Sequence, residues 1–384
     1  MTFEFATATH IIFGCGTAQQ LPELCQAKGQ RVLVVTGRDS TRVQPLITPL
    51  SAAGLQSVIH SLIAEPTVED VQRGTLLAIE SGAHVVVSIG GGSVIDAGKA
   101  IAAMARQPGD LFDYLEVIGK GRPLEAPPLP FIAVPTTAGT GAEVTRNAVL
   151  SDPTRRVKAS LRHASMLPDI ALIDPQLALG CPPAVTAASG MDALTQCLEA
   201  YVSSKAQPLT DVFCVEGIRR VMCSLERAVT HGHDLTARTD MALAALLSGM
   251  ALANAGLGAV HGFAAPIGGM FQAPHGAVCA ALLPHVWEVN AAAVQRCGDG
   301  GKIARFRQAS TLLLPGQGTD DPVAAAQMLR GLAERLEIPP LRQHGIVSKD
   351  LDEIAKKAAA TSSMKGNPVP LTDAELLRVL EAAL

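Results

Sequence analysis

Two pairs of side chains in this sequence have types and spacings that could serve chemistry. Asp192 and Gln196 are four apart in Gly190-Met191-Asp192-Ala193-Leu194-Thr195-Gln196-Cys197-Leu198-Glu199-Ala200-Tyr201, a stretch of small and apolar residues that reads as helix. At helical pitch such a pair lies on one face, so both can offer an oxygen to the same point. His261 and His275 stand fourteen residues apart, far enough for a helix to turn and return, and imidazole is a good ligand for divalent metals. Each residue also has an ordinary reading. Asp192 would complement a helix dipole in a first turn. His261 follows a long apolar run, where a core histidine is common, and His275 sits beside Pro274 and Gly276, as turn residues do. Spacing alone leaves both readings open.

A second group of residues suits phosphate. Gly90-Gly91-Gly92-Ser93 follows the β-branched run His84–Ile89 and leads into a helix. Bare backbone N–H groups at a helix N-terminus accept an anion, and Ser93 adds a hydroxyl. Three consecutive glycines carry an entropic cost that a plain turn does not require. The run is neither a G-x-G-x-x-G fingerprint nor a Walker loop. Thr136-Thr137-Ala138-Gly139-Thr140-Gly141 also follows a strand, Phe131–Val134. Two such loops at the carboxyl edge of one sheet favour a dinucleotide over a lone phosphate.

The elements that position these groups change in character along the chain. Ile11–Phe13, Gln30–Gly37, Ser57–Ile63, His84–Ile89 and Phe131–Val134 read as strands alternating with helices, the pattern of a parallel sheet covered on both faces. Past about residue 180, Ala- and Leu-rich helical stretches take over at 184–203, 208–229, 236–255, 278–297, 323–336 and 349–360, with a capping box at Thr372–Glu375 before the last helix. The expected architecture is an α/β domain with a parallel Rossmann-like sheet over residues 1–180, followed by an all-helical domain over 181–384. A chain of 384 residues suits two domains.

Composition narrows the function. A net charge of −4 with one Trp and two Tyr gives no sign of nucleic-acid or anionic-membrane partners. Eight cysteines without a C-x-x-C pair suggest reduced thiols in the cytoplasm, and no signal peptide is visible. Met241–Ala255 is apolar but too short to span a bilayer, and reads as a helix buried in a protein core.

The motifs GGGSVIDAGK, PTTAGTGAEVT, GMDALTQCLEAYVS and GAVHGFAAPIGGMFQAPHG together resemble the iron-containing (group III) alcohol dehydrogenase family, in order and spacing over essentially the whole chain. The resemblance implies a dehydroquinate-synthase-like fold. NAD(P) would sit on the α/β domain, a divalent metal (Fe²⁺, or Zn²⁺ or Mn²⁺) on the helical domain, and the active site in the cleft between them. It implies a cytoplasmic enzyme, a homodimer or larger, that interconverts a small primary or secondary alcohol with its aldehyde or ketone.

Carried over residue by residue, the family's Asp falls on Asp192, two of its three ligand histidines on His261 and His275, and the third on Gln196. Asp192, His261 and His275 are thereby also the catalytic candidates. A further histidine that the family commonly has near the nicotinamide is Ala265 here. A Gln oxygen in place of an imidazole makes the set harder, suiting Fe²⁺ or Mn²⁺ as well as Zn²⁺. The cofactor residues implied are Gly37, Arg38, Gly91, Gly92, Ser93, Asp96, Thr136, Thr137, Thr140 and Lys158, with Asp96 orienting the glycine loop. Where relatives that prefer NAD often carry an acid after the first strand, this chain has Gly37. That favours tolerance of NADP, although Asp39 can replace the carboxylate. Val149, Leu161, Met250 and Phe263 would line the substrate site. Gln196 and Ala265 keep two alternatives in view: a maleylacetate-type reductase without tightly held metal, and an inactive nucleotide-binding relative.

Overall fold

A computed structural model of the chain describes residues 2–384. Its first half runs β1 (His10–Phe13), α1 (Leu21–Gln26), β2 (Arg31–Thr36), α2 (Gln44–Ala52), β3 (Gln56–Ser61), α3 (Val68–Glu80), β4 (Val85–Gly90), α4 (Gly92–Met104), β5 (Phe131–Pro135), β6 (Asn147–Asp152), β7 (Val157–Arg162) and β8 (Ile170–Ile173). Six strands form one parallel sheet in the order β1-β8-β5-β4-β2-β3. β2, β4 and β5 are buried along nearly their whole length, which is why they read as unbroken apolar runs. The chain proceeds from β2 outward to β3 and then returns to place β4 on the other side of β2. The strand order therefore reverses between β2 and β4, and in open α/β sheets the crevice at the carboxyl ends of such strands binds ligands.

The second half runs α5 (Pro183–Val202), α6 (Pro208–Thr230), α7 (Leu235–Ala255), α8 (Ala259–Phe271), α9 (His275–Cys297), α10 (Gly300–Leu313), α11 (Pro322–Arg335), α12 (Leu351–Ala359) and α13 (Asp373–Ala383). Strands followed by helices are as expected. Sequence patterning missed the antiparallel hairpin β6–β7, strand β8, and helices α8 and α10. The glycines and Pro266 of α8 mask its periodicity, and α10 has polar residues on several faces.

Contacts divide the chain into two compact units, Thr7–Thr137 with Gly141–Gly180, and Cys181–Leu384 with Ala138–Thr140 and the residues through Ala6. The N-terminal segment joins the helical unit because Ala6 exchanges two hydrogen bonds with Asn254, at 2.7 and 2.9 Å, and Phe5 packs on Phe213. α7 is buried along most of its length, as its composition suggested. α9 is long and apolar enough to cross a membrane, yet 72% of its most apolar window is buried inside the protein.

In the α/β unit, α4 lies so close to the sheet that a Cβ on Gly98 would come 1.9 Å from Ser88 Oγ and 2.8 Å from the Phe131 ring. Gly98→Ala is therefore expected to lower stability by about 1–3 kcal/mol through overpacking. Chemical denaturation followed by circular dichroism will read this; an unchanged midpoint would show that α4 does not sit this close.

Candidate metal centre

Helix α5 is buried on nearly all sides, and three polar residues spaced at positions i, i+4 and i+7 share one of its faces: Asp192, Gln196 and Glu199. α8 brings His261 to this face within its first turn. Gly258 provides no side-chain cap for α8; instead Val260 N–H donates to Glu199 Oε1 at 2.6 Å and Ala259 N–H to Asn367 Oδ1 at 3.1 Å. A Cβ on Gly258 would come within 2.9 and 3.0 Å of these two acceptors, so a side chain there would press on both. α8 ends at Gln272 in the left-handed conformation, and α9 begins with His275 as its first residue. The next residue, Gly276, approaches the backbone of α5 so closely that a Cβ would lie 2.6 Å from Ala188 O. That contact holds His275 over the polar face of α5.

Asp192, His261 and His275 are brought together. His261 Nε2 lies 3.3 Å and His275 Nε2 3.7 Å from Asp192 Oδ1. The two imidazole centroids are 5.4 Å apart. Asp192 and His261 are buried, whereas the His275 side chain is one-third exposed and opens the cluster to solvent. Cys279, one helical turn after His275, completes a group of four whose ligand atoms all lie within 4.8 Å of one another.

Gln196 is placed differently from the expectation. Its amide NH2 faces Thr140 O at 3.3 Å and Asp192 Oδ2 at 3.4 Å, and its Oε1 accepts from Ser248 Oγ at 2.6 Å. Turning the amide round would set its oxygen against two acceptors, so the hydrogen-bond pattern fixes the orientation. Gln196 thus holds the outer oxygen of Asp192 while Oδ1 faces the histidines. It does not present its own oxygen to the cluster.

Two residues escaped sequence reasoning. Glu199 accepts from His261 Nδ1 at 2.7 Å, which fixes the ring and turns Nε2 toward Asp192. It stands seven residues after Asp192, a helical spacing that was there to be read. Cys279 stands four after His275, the same spacing that paired Asp192 with Gln196.

The electrostatics favour a cation. Burial alone would raise the Asp192 carboxyl, but the charges of His275 and His261 and the Cys279 thiol beside it hold it below the ordinary range. Burial would lower His261, but Cys279, Asp192 and Glu199 raise it well above its usual value. Burial pushes the Cys279 thiol up to about 12. Asp192 Oδ1 and His261 Nε2 are both buried, face each other at 3.3 Å and have no other hydrogen-bond partner. Two orphaned atoms converging on one point, next to a second imidazole, suit a divalent metal, which replaces the protons these groups otherwise compete for.

The expected dinucleotide residues lie in the α/β unit, apart from Thr140. Gly37 follows β2, Gly91 caps α4 after β4, and Thr136 and Thr137 follow β5, so all stand at the carboxyl edge of three adjacent strands. Thr136 N–H donates to Gly90 O at 2.9 Å, and a Cβ on Gly91 would sit 3.2 Å from Thr137 Oγ1. Gly92 and Ser93 form the first turn of α4, and Arg38 is exposed.

Three residues are placed otherwise. Asp96 does not orient the glycine loop directly: it accepts from Val149 N–H at 3.0 Å and pairs with the buried Lys99 at 3.1 Å, fastening β6 to α4. The Lys158 ammonium pairs with Glu65 at 2.6 Å, and Thr140 groups with the helical unit. Leu161 and Phe263 are fully buried in two separate apolar cores, so neither lines a substrate site.

Comparison with known proteins gives the family. Residues 8–175 match the model of the iron-containing alcohol dehydrogenases and residues 186–384 that of the C-terminal region of the Fe-containing alcohol dehydrogenase family. This chain belongs to the iron-containing alcohol dehydrogenases. It is 37% identical over 380 residues to alcohol dehydrogenase 4 of Saccharomyces cerevisiae strain S288c, covering 97% of this chain and 96% of that one. A crystal structure of 1,3-propanediol oxidoreductase superposes with a TM-score of 0.91 at 33% identity over 100% of both chains. Sulfoacetaldehyde reductase from Bifidobacterium kashiwanohense, solved in complex with NAD⁺, gives 0.87 at 27% identity over 100% of this chain and 99% of that one. The protein is thus an alcohol dehydrogenase or aldehyde reductase of that family. Neither alternative reading is favoured.

If Glu199 fixes His261 for metal binding, Glu199→Gln is expected to weaken metal affinity about 10–100-fold. Competition with a chromophoric chelator will measure it, and wild-type affinity would remove Glu199 from this role.

Proposed function

We propose that Asp192, His261 and His275 hold the divalent metal of this dehydrogenase, and that Gly37, Gly91, Gly92, Ser93, Thr136 and Thr137 receive NAD(P). The observation that carries the metal assignment is the convergence of Asp192 Oδ1, His261 Nε2 and His275 Nε2, two of them buried and otherwise unpartnered. When bound, the metal supplies a Lewis acid for the alcohol or carbonyl oxygen, and the dinucleotide supplies the hydride acceptor or donor.

The chain's own groups keep that chemistry in place. Glu199 holds the His261 ring by Nδ1, and Gln196 holds Asp192 by Oδ2. The α4 N-terminus and the Ser93 and Thr137 hydroxyls suit the pyrophosphate. Ala265 carries no titratable group, so proton exchange at the substrate oxygen runs through water or a cofactor ribose hydroxyl. The substrate is a small alcohol or aldehyde. Lys158, paired with Glu65, and Asp96, paired with Lys99, support the dinucleotide site from behind it.

The same reading extends to cofactor choice and setting. The backbone at Gly37 has no acid to repel a 2′-phosphate, and the exposed Arg38 adjoins it, which supports use of NADP as well as NAD. Cysteines without C-x-x-C pairing support a reducing cytoplasm, and a net charge of −4 gives no support to nucleic-acid or membrane partners. The family resemblance supports a homodimer and Fe²⁺ as one competent metal.

Chelation under anaerobic conditions is expected to abolish NAD(P)H oxidation with short aldehydes, and Fe²⁺, Mn²⁺ or Zn²⁺ to restore it. Full turnover by metal-free protein would overturn the assignment. A Cβ at position 37 meets only Val94 Cγ2, at 4.0 Å, so Gly37→Asp is accommodated. It is expected to lower kcat/KM for NADPH roughly tenfold or more through like-charge repulsion, with NADH spared. Equal loss with both cofactors would place the adenosine ribose elsewhere.

A further inference from the structure

We propose that Cys279 is a metal ligand of this enzyme, its sulfur filling the place left by an imidazole at position 196. The proposal rests on the reading that Asp192, His261 and His275 hold the metal. Bonds of 2.0–2.3 Å to a tetrahedral ion set neighbouring donor atoms about 3.3–3.8 Å apart. His261 Nε2 and His275 Nε2 lie 3.3 and 3.7 Å from Asp192 Oδ1, and Cys279 Sγ lies 3.7 Å from His275 Nε2. These three edges already have the dimensions of a metal polyhedron. The sulfur belongs to the same group of four donors, and it is buried.

The position of Gln196 supplies the complementary half. Its amide oxygen is engaged by Ser248 and its NH2 points at Asp192 Oδ2, so it closes off the side where the family's third histidine would stand. A donor is missing on α5 and an extra one is present on α9. The number of protein donors would stay at four, with the side that His275 leaves open to solvent remaining for substrate. On coordination the thiol gives its proton to solvent and binds as thiolate. The resulting set of one carboxylate, two imidazoles and one thiolate is softer than two oxygens and two imidazoles. That reverses the preference for Fe²⁺ or Mn²⁺ anticipated from Gln196 alone and favours Zn²⁺ or Co²⁺.

The test is to load the full-length metal-free enzyme with one equivalent of Co²⁺ and record bound metal and absorption together. A near-ultraviolet thiolate-to-cobalt charge-transfer band in wild type, lost in Cys279→Ser, is the expected result. Exposed Cys15, Cys223 and Cys297 remain in the variant and serve as the internal control. Stoichiometric cobalt without the band, or a band that survives in Cys279→Ser, would overturn the thiolate ligand and leave the three-residue metal reading standing. Failure to bind cobalt at all would overturn both. Should Cys279→Ser not fold, X-ray absorption at the zinc edge of wild type decides the matter. One sulfur at about 2.3 Å supports the proposal, and a shell of only nitrogen and oxygen overturns it.

Discussion

The hydrogen bonds of Glu199 are the constraint on which the centre depends. One carboxylate oxygen caps the first turn of α8 through Val260 N–H, and the other holds His261 Nδ1. The start of a helix and the orientation of the His261 ring are thus set by the same buried side chain. Asn367 repeats the arrangement at Ala259 N–H and is itself locked to Asn290 by paired amides. A carboxylate this buried is costly unless its partners are placed with accuracy, and here each oxygen has a short, well-directed donor. Asp192 and Glu199 lie two turns apart in the interior, so their combined charge also calls for positive charge between them. A divalent ion beside His261 meets that need.

Glycine does corresponding work in fixing backbone distances. Gly258 admits the two acceptors that cap α8, and Gly276 lets α9 rest on the backbone of α5. In the α/β unit Gly98 lets α4 lie against Ser88 and Phe131, and the buried Lys99 collects the carbonyls of Ala142 and Asn147 together with Thr145. The glycine and threonine loops are therefore presented from a rigid base: β4 and β5 end side by side, tied by the bond from Thr136 N–H to Gly90 O.

Much of this was legible in the sequence, for identifiable reasons. Strands buried on both faces become apolar runs, so β2, β4 and β5 stood out, and the glycine and threonine loops after β4 and β5 marked a ligand edge. Asp192, His261 and His275 were singled out by type, spacing and motif resemblance, and the fold brings the three together. What failed was inference from one position at a time. The position of Gln196 on α5 points to a ligand, but an amide has a donor end as well as an acceptor. Its surroundings, Ser248 and the carbonyl of Thr140, come from distant parts of the chain. Cys279 has no C-x-x-C partner to set it apart from the other seven thiols. Its meaning appears only when α9 is laid across α5. Leu161 and Phe263 have the apolar character of a substrate wall, but only the fold shows that both are interior.

The most direct test of the centre is anomalous diffraction from crystals of the enzyme grown with Zn²⁺ and measured across the zinc edge. One zinc per chain within bonding distance of Asp192 Oδ1, His261 Nε2 and His275 Nε2 is the predicted result. An anomalous map empty at this point, or a zinc held by other side chains, would contradict it.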